Sequence, residues 1–196
     1  MREPERARGP WLEALRAALD EASAPLIFFF RDDDAGWEDA RLFALLEVFA
    51  RRALPLDVAV IPRALSAELA TSLMSFAGEQ NGRLGLHQHG LAHVSHEPSG
   101  HKCEFGTRRD LDTQRRDITE GFELLAKRLP GMVQPVFTPP WNRCTRVTGQ
   151  VLNELGFRVL SRHISEEPLA LRGHSVSRVA TGCPGQVARR RGAGGT

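Results

Sequence analysis

Hydrophobic and polar residues follow one another along this chain in blocks that predict alternating helices and strands. Leu12, Leu15 and Leu19 recur at helical intervals, and similar apolar stripes indicate four more helices downstream. Thr107 and Asp110 have the spacing of a capping box that opens the fourth helix. Short, continuous apolar runs between the helices are typical of strands buried on both faces. The predicted helices cover 12–19, 42–49, 66–78, 107–129 and 145–155, and the predicted strands cover 26–30, 56–61, 83–87, 135–138 and 157–161.

The alternation of elements predicts parallel βαβ units, and therefore an α/β fold. A complete eight-stranded barrel typically takes about 250 residues, whereas this chain has 196. We therefore expect a partial or distorted (β/α) barrel, formed by a single domain over residues 1–165. Residues 166–196 are rich in Gly and Arg and show no apolar periodicity, which predicts a poorly ordered tail. A partial barrel leaves sheet edges exposed, which favours association of the chain as a homo-oligomer.

The composition narrows the class of protein without identifying it. Hydrophobic residues make up 41% and charged residues 26% of the chain, as in ordinary soluble domains. The net charge is +2, and the arginines after Glu167 account for this excess, so the sequence predicts no nucleic-acid partner. No apolar run approaches the roughly 18 residues of a membrane span. Because the N-terminus carries no secretory signal and the three cysteines form no disulfide pattern, we expect a cytoplasmic protein without a membrane partner.

Polar clusters stand at the carboxyl ends of the predicted strands. Asp32, Asp33 and Asp34 follow the first strand, a group of histidines follows the third, and PPWNR (139–143) follows the fourth. The carboxyl ends of parallel strands converge on one rim of an α/β sheet or barrel, where ligands bind. We therefore expect these residues to share one site.

The three consecutive aspartates point to a cation. Adjacent carboxylates repel one another, and either a solvated turn or a bound divalent cation would relieve that repulsion. His89 and His93 lie four residues apart, which would place both imidazoles on one side of a helical turn. Two histidines and one carboxylate form a three-ligand metal set that leaves a coordination position open. The pattern therefore favours a metal site over a solvated loop.

Three short motifs follow one another along the chain. They are FFFRDDDAG (28–36), the H-x-x-x-H of His89 and His93, and FTPPW (137–141). In order and rough spacing they resemble the motifs of NodB-like polysaccharide deacetylases, the carbohydrate esterase family 4 (CE4) type. In that family an apolar strand ends in paired aspartates, an H-x-x-x-H follows, and an aromatic-Arg-Pro-Pro-aromatic run comes third. The resemblance covers residues 25–162.

The resemblance implies a metal-dependent hydrolase that removes N-acetyl or related acyl groups from a carbohydrate substrate. It implies a divalent metal, most commonly zinc, held by Asp34, His89 and His93, with Asp33 as the general base. Because the aspartate run is three residues long, Asp32 and Asp33 could take the roles of base and ligand instead.

The third motif implies the substrate side of the site. Trp141 would form an apolar wall for a sugar ring, and Pro139 and Pro140 would stiffen that wall by fixing φ. Arg143, two residues further on, is a candidate for substrate contact. The candidate supporting residues are Arg31, Asp32 and His87.

The sequence departs from the family pattern at two places. The third-motif arginine, which contacts the base in the family, is Thr138 here, and Arg31 or Arg143 is expected to supply that charge. The family's late motif contains a histidine that acts as general acid. Beyond the fifth predicted strand only His163 and His174 are available, and neither stands in a copy of that motif.

Two alternatives to an active deacetylase stay open. Loss of the late motif could leave a catalytically impaired relative that binds carbohydrate or metal. The same rim could also serve a different hydrolytic chemistry, such as the opening of a cyclic amide.

Overall fold

The computed structural model of the protein describes residues 10–24, 28–163 and 178–179. The chain divides into two compact units, one formed by Met1–Phe28 with Thr181–Thr196 and the other by Phe29–Ala180. The first unit contains helix α1 (Pro10–Asp20), which confirms the predicted N-terminal helix. The second unit contains the sheet and all the residues proposed above for the site.

Parallel strands form the central sheet of the second unit, in the order β1-β2-β3-β4-β5. They are β1 (Arg31–Ala35), β2 (Leu56–Val60), β3 (Leu84–His89), β4 (Val133–Thr138) and β5 (Val159–Leu160). Each strand pairs with the next one along the chain, which confirms the predicted α/β class. Within the described residues the sheet ends at β1 and β5 and does not close into a barrel. A separate parallel pair joins β6 (Arg162–His163) to β7 (Arg178–Val179).

Helices connect successive strands of the sheet. They are α2 (Asp39–Arg51), α3 (Ala67–Glu79), α4 (Leu111–Arg128) and α5 (Arg146–Glu154), and each overlaps a predicted helix. The Ser66 hydroxyl accepts a hydrogen bond from the Leu69 N–H and so caps α3. The Asp110 carboxylate accepts one from the Thr113 N–H at the start of α4. The capping box predicted from Thr107 is therefore wrong, because Asp110 is itself the N-cap.

Two apolar clusters hold the helices against the sheet. In the larger one, Val58, Val60 and Leu86 pack beneath side chains of α2, α3 and α4. In the other, Phe137 packs with Ile118 and with residues of α5. Burying one such side chain contributes about 1.5–3 kcal/mol. Because side chains alternate along a strand, anchoring one face of β3 in this way turns its intervening residues to the opposite face.

The first strand lies later in the chain than the apolar pattern predicts. Phe28, Phe29 and Phe30 precede the strand and are 57%, 43% and 42% exposed. Pairing with β2 begins where the Phe30 carbonyl accepts a hydrogen bond from the Asp57 N–H, and it continues through the polar stretch RDDDA. Since β1 is an edge strand of the sheet, the phenylalanines before it lack the neighbours on both sides that bury a central strand. The predicted strand at 26–30 is therefore wrong, and residues 26 and 27 lie outside the described residues.

Most of the predicted tail, 166–196, lies outside the described residues, and the part that the structure describes is strand β7. Association between copies of the chain through the edges of the sheet stays a prediction. Among the helices that the structure describes, none has the length and apolar character needed to cross a membrane.

Candidate metal centre

A β-bulge in β1 turns two consecutive aspartates toward one site. Between Asp32 and Ala35, β1 uses one residue more than β2. Such an extra residue interrupts the alternation of side chains and commonly re-aims them next to active sites. Asp34 has a left-handed backbone conformation, with φ 68°. Asp33 and Asp34 can therefore serve the same site, although neighbours in a regular strand face opposite sides.

His89 and His93 converge on Asp34 from the third strand. His89 is the last residue of β3, and His93 lies in the loop that follows, at φ 55°. The Nε2 atom of each histidine lies 3.1 Å from Oδ1 of Asp34, and the three candidate ligand atoms lie within 4.8 Å of one another. The helical turn expected from the spacing is wrong, because the strand continues through His89. The loop nevertheless brings together the three residues that the sequence pattern grouped.

The hydrogen bonds around these imidazoles suit a cation between them. Nδ1 of His89 lies 3.0 Å from the Thr138 carbonyl oxygen, which only accepts, so Nδ1 carries a proton. A neutral ring presents the lone pair of Nε2 to the Asp34 carboxylate, whereas a protonated ring donates a hydrogen bond to it. Lone pairs that face one another in this way are held together by shared protons or by a shared cation. Two imidazoles and a carboxylate form a donor set that zinc prefers, so the residues fit a divalent metal.

Asp34 is the anionic member of this set. Hydrogen bonds from His89 and then from His93 hold the pKa of the Asp34 carboxyl well below its usual range, against the opposing effect of burial. The carboxylate is therefore ionised, as a metal ligand must be.

A buried carboxylate fixes the loop that carries His93. Glu104 is 1% exposed, and its oxygens accept hydrogen bonds from the N–H groups of Leu91 and Ala92, at 3.3 and 2.8 Å. Gly90, at φ 59°, makes room for it, since a Cβ there would lie 2.1 Å from Oε2 of Glu104. Glu104 therefore holds the backbone directly before His93.

Two tryptophans contact the imidazole of His93. The ring centroids of Trp37 and Trp141 lie 4.5 and 4.3 Å from that of His93. Asp34, His93 and Trp141 all have left-handed backbone conformations, which are uncommon for residues other than glycine. Strained backbone of this kind persists where its surroundings hold it and clusters at functional sites.

The carboxylate of Asp33 is paired with an arginine of its own strand. Nε and Nη2 of Arg31 lie 2.7 and 2.8 Å from the two carboxylate oxygens. The same guanidinium donates to Ser161 Oγ at 2.7 Å and to Asn142 Oδ1 at 2.9 Å. Arg31 thus provides Asp33 with the cationic partner that the family places in its third motif. No hydrogen bond or ion pair of the Arg143 side chain occurs within the described part of the chain.

Thr138, which stands at the position of the third-motif arginine, serves the histidines instead. Its carbonyl fixes His89, and its hydroxyl lies 2.9 Å from Nε2 of His87. Burial, followed by the nearby Arg31 and His89, lowers the pKa of His87 to about 3, so this ring is neutral at pH 7. His87 lies outside the three-residue ligand cluster.

Asp32 is not a member of the three-residue ligand cluster. It lines a cavity of about 610 Å³ together with Asp33 and Asp34. Burial, together with the neighbouring charges of Asp33 and Asp34, raises the pKa of Asp32. Of the two registers open for the aspartate run, the geometry agrees with the one in which Asp34 joins the histidines and Asp33 precedes it.

The prolines of the third motif lie directly before Trp141. Pro139 ends the extended segment after β4, and Pro140 begins a single 3₁₀ turn that contains Trp141 and Asn142. Trp141 is thereby placed against His93, next to the ligand cluster.

Four contributing residues were not singled out from the sequence: Trp37, Glu104, Asn142 and Ser161. Trp37 and Asn142 stand beside recognised motifs, so closeness to those motifs was the available signal. Ser161 belongs to a polar group after a strand, but nothing local connects it with Arg31, which is 130 residues away. Glu104 lies in a long polar loop and carries no signal of its own.

Comparison with known proteins identifies the fold. No family model and no curated protein sequence matches the chain. IcaB from Ammonifex degensii is 17% identical, with a TM-score of 0.60, over 77% of this chain and 66% of that chain. A CE4 esterase from Streptococcus mutans is 14% identical, with a TM-score of 0.55, over 74% and 58%. A mutant of a CE4 family pseudoenzyme from Bacillus anthracis, with restored enzymatic activity, is 15% identical, with a TM-score of 0.50, over 67% and 43%.

The α/β fold of this chain is that of the CE4 polysaccharide deacetylases, as the three motifs implied. At these identities the likeness establishes the fold. The chain spans between 43% and 66% of the length of the three solved structures.

Proposed function

We propose that the protein is a metal-dependent hydrolase that removes N-acetyl or related acyl groups from a carbohydrate. One observation carries this proposal: the ligand set Asp34–His89–His93 stands next to a carboxylate, Asp33, that a buried arginine orients. A cation site beside an oriented carboxylate is the combination that hydrolysis of an amide by water requires. The CE4 fold supports the same class of chemistry.

Asp34, His89 and His93 would hold the divalent cation, and zinc suits this donor set best. A cation bound there would polarise the acetyl carbonyl and acidify a water molecule. The Thr138 carbonyl supports the set by fixing the tautomer of His89, and Glu104 supports it through the backbone before His93.

Asp33 is the general base of the proposed reaction. Its side chain is 27% exposed, whereas that of Arg31 is 2% exposed, so water reaches the carboxylate while the guanidinium stays buried. Arg31 occupies one lone pair on each oxygen and leaves the others for a water molecule. Asp33 takes a proton from this water as its oxygen attacks the acetyl carbon. The C–N bond then breaks as Asp33 returns this proton to the nitrogen, and the free amine and acetate are released.

Trp141 and Arg143 are the proposed substrate contacts. An indole beside a metal ligand offers an apolar face to a pyranose ring, and the two prolines before it restrict its backbone. The Arg143 side chain forms no hydrogen bond or ion pair with the described residues, and its position two residues after Trp141 supports contact with a substrate oxygen.

Metal content and acetate release, measured on the same preparations, test the proposal. We expect the wild type to retain zinc and to release acetate from N-acetylglucosamine oligomers. His89→Ala should lose the metal. Asp33→Asn should keep the metal and lose about 10²–10⁴-fold in kcat, the usual contribution of a general base. Asp112→Asn, an exposed control on α4, should change neither the metal content nor the rate of acetate release.

Unchanged metal content in His89→Ala would contradict the ligand assignment. Full turnover by Asp33→Asn would contradict its role as the base.

A catalytically impaired relative is the second candidate function, and the place of His163 favours it. His163 lies on β6, outside the ligand cluster and outside the cavity beside β1, and His174 lies outside the described residues. A protein of this kind would retain metal and bind N-acetylglucosamine oligomers without releasing acetate. Acetate release that depends on Asp33 would exclude it.

A further inference from the structure

Trp37 is an exposed aromatic residue at the edge of the candidate metal centre. It follows Asp34 in a tight turn, where its N–H donates to the Asp34 carbonyl at 3.2 Å. The residue is 54% exposed, although its ring meets that of His93 edge to face. Contact with His93 therefore accounts for only part of the indole surface, and the rest is apolar area that a ligand could bury.

The cavity between β1 and α2 adjoins this indole. Trp37 lines it together with Asp33 and Asp34, so the cavity opens directly beside the proposed reacting groups. Leu42 and Leu45 of α2 add an apolar wall. Its volume of about 610 Å³ falls within the range of small-molecule sites, roughly 300–1,000 Å³.

The order of the strands places Trp37 and Trp141 on two sides of the ligand set. Trp37 follows β1, and Trp141 follows β4, while β2 and β3 lie between those strands in the sheet. His93 follows β3 and is contacted by both indoles. A chain of sugar rings that crosses the site can therefore meet one indole on each side.

We propose that Trp37 and the cavity beside it form a second sugar-binding subsite, so that the substrate is an oligosaccharide that extends from Trp141 to Trp37. This inference rests on the proposed function. The axial C–H groups of a pyranose form an apolar face that packs on an indole, while its hydroxyl groups bond to the polar rim. The acetylated ring lies at the metal centre, and the next ring lies against Trp37.

The charges around the cavity select among sugars. Asp32 and Glu38 add carboxylates to those of Asp33 and Asp34, and the guanidinium of Arg41 is already paired with Glu38 at 2.5 Å. An anionic sugar would meet like charges here. The subsite therefore suits neutral N-acetylhexosamines or the free amino sugars that deacetylation produces.

Calorimetric titration of the zinc-loaded protein with N-acetylglucosamine and with its tetramer tests the subsite. We expect the tetramer to bind the wild type more tightly than the monomer. Trp37→Ala should weaken tetramer binding on the order of tenfold and lower the ratio of tetramer affinity to monomer affinity. Trp37→Phe, which keeps an aromatic ring, should retain most of the tetramer affinity. Phe29→Ala, a similarly exposed aromatic residue that does not line the cavity, should change neither affinity.

A second variant separates the subsite from support of His93. Leu45→Trp narrows the cavity and leaves Trp37 in place, so it should also weaken the tetramer selectively. Tetramer affinity unchanged in both Trp37→Ala and Leu45→Trp overturns the inference, as does a wild type that binds monomer and tetramer equally. If Trp37→Ala loses its zinc, Leu45→Trp alone decides. A hyaluronan tetrasaccharide should bind more weakly than the neutral tetramer, and equal or tighter binding overturns the assignment of charge preference.

Failure of the proposed function gives a different result. In that case the zinc-loaded wild type binds none of these sugars and releases no acetate. Failure of the subsite alone leaves both monomer binding and acetate release intact.

Discussion

Arg31 and Asp33, two residues apart on the edge strand, form a bidentate ion pair in which Nε and Nη2 lie 2.7 and 2.8 Å from the two carboxylate oxygens. Ser161 and Asn142 accept hydrogen bonds from other N–H groups of the same guanidinium. Arg31 is therefore held by residues of three separate parts of the chain. A planar guanidinium fixes both the position and the plane of a carboxylate in a way that a lysine cannot. This pair therefore sets the direction in which Asp33 can accept a proton.

Replacement of Arg31 by Lys tests this relationship. The ammonium group keeps the charge but holds one carboxylate oxygen at a time, so Asp33 should lose its fixed plane. We expect kcat to fall about 10²-fold, as for a misplacement of catalytic groups by about 1 Å, while zinc content and KM stay near those of the wild type. Arg51→Lys, an exchange in an exposed pair with Glu47, is the control. An unchanged kcat in Arg31→Lys would show that Asp33 does not depend on the guanidinium.

Glu104 is expected to control metal affinity without contacting the metal. In Glu104→Gln the side chain keeps its shape, but an NH₂ group replaces one of the two oxygens that accept from the Leu91 and Ala92 N–H groups. The loop before His93 then loses one of these hydrogen bonds. Groups that orient the metal-binding residues without contacting the metal typically contribute 10–100-fold to metal affinity. Competition with a chromophoric chelator should show a loss of about that size, while the apoprotein unfolds near the wild-type temperature.

The matched control for this exchange is Glu120→Gln on α4, whose carboxylate pairs with the exposed Arg63. It should leave the zinc affinity unchanged. Equal zinc affinity in Glu104→Gln and the wild type would mean that the loop is held by its other contacts.

Gly90→Ala should damage the site by steric conflict. Its φ is 59°, and an added Cβ would lie 2.1 Å from Glu104 Oε2 and 2.6 Å from Cγ of Pro140. We expect a loss of about 1–3 kcal/mol in the free energy of unfolding and a weaker hold on zinc. Gly78→Ala is the matched control, and its effect on stability should be opposite in sign. Gly78 lies in α3, and no atom lies within 4 Å of the added Cβ. That exchange should stabilise by about 0.5–1 kcal/mol, and equal effects of both exchanges would contradict the steric argument.

Local patterns predicted the helices and most strands because each buries an apolar stripe or run that is visible in a short window. The same reasoning failed at residues 28–30, since hydrophobicity within a window does not show which strand lies at the edge of a sheet. The spacing of His89 and His93 predicted a helical turn, whereas a strand end and a loop bring the two histidines together. The hydrogen bonds of Glu104 to the loop backbone depend on how two loops are placed, and the contact of Arg31 with Ser161 depends on the order of the strands. No local pattern in the sequence encodes either of these.

Asp57 predicts a dependence of stability on pH. Its carboxylate lies over Gly85, and burial raises its pKa above the ordinary value of 3.8, although the nearby Arg31 acts in the opposite direction. A raised pKa means that the folded state holds the charged form at a cost, so this group lowers stability at neutral pH. That cost disappears as the pH falls below the ordinary value, because the carboxyl is then protonated in both the folded and the unfolded state.

Asp57→Asn removes the charge at every pH and therefore removes this cost. We expect the variant to be more stable than the wild type at pH 7, with a difference that shrinks as the pH falls through the raised pKa of Asp57 and vanishes below the ordinary value of 3.8. Urea unfolding of both proteins across this range measures the difference directly, and the exposed Asp112→Asn exchange on α4 controls for the loss of a negative charge in general. A variant that is less stable than the wild type at pH 7 would show that attraction between Asp57 and Arg31 outweighs the burial of the carboxylate. In that outcome Asp57 would join Asp33, Ser161 and Asn142 as a group that holds Arg31 in place.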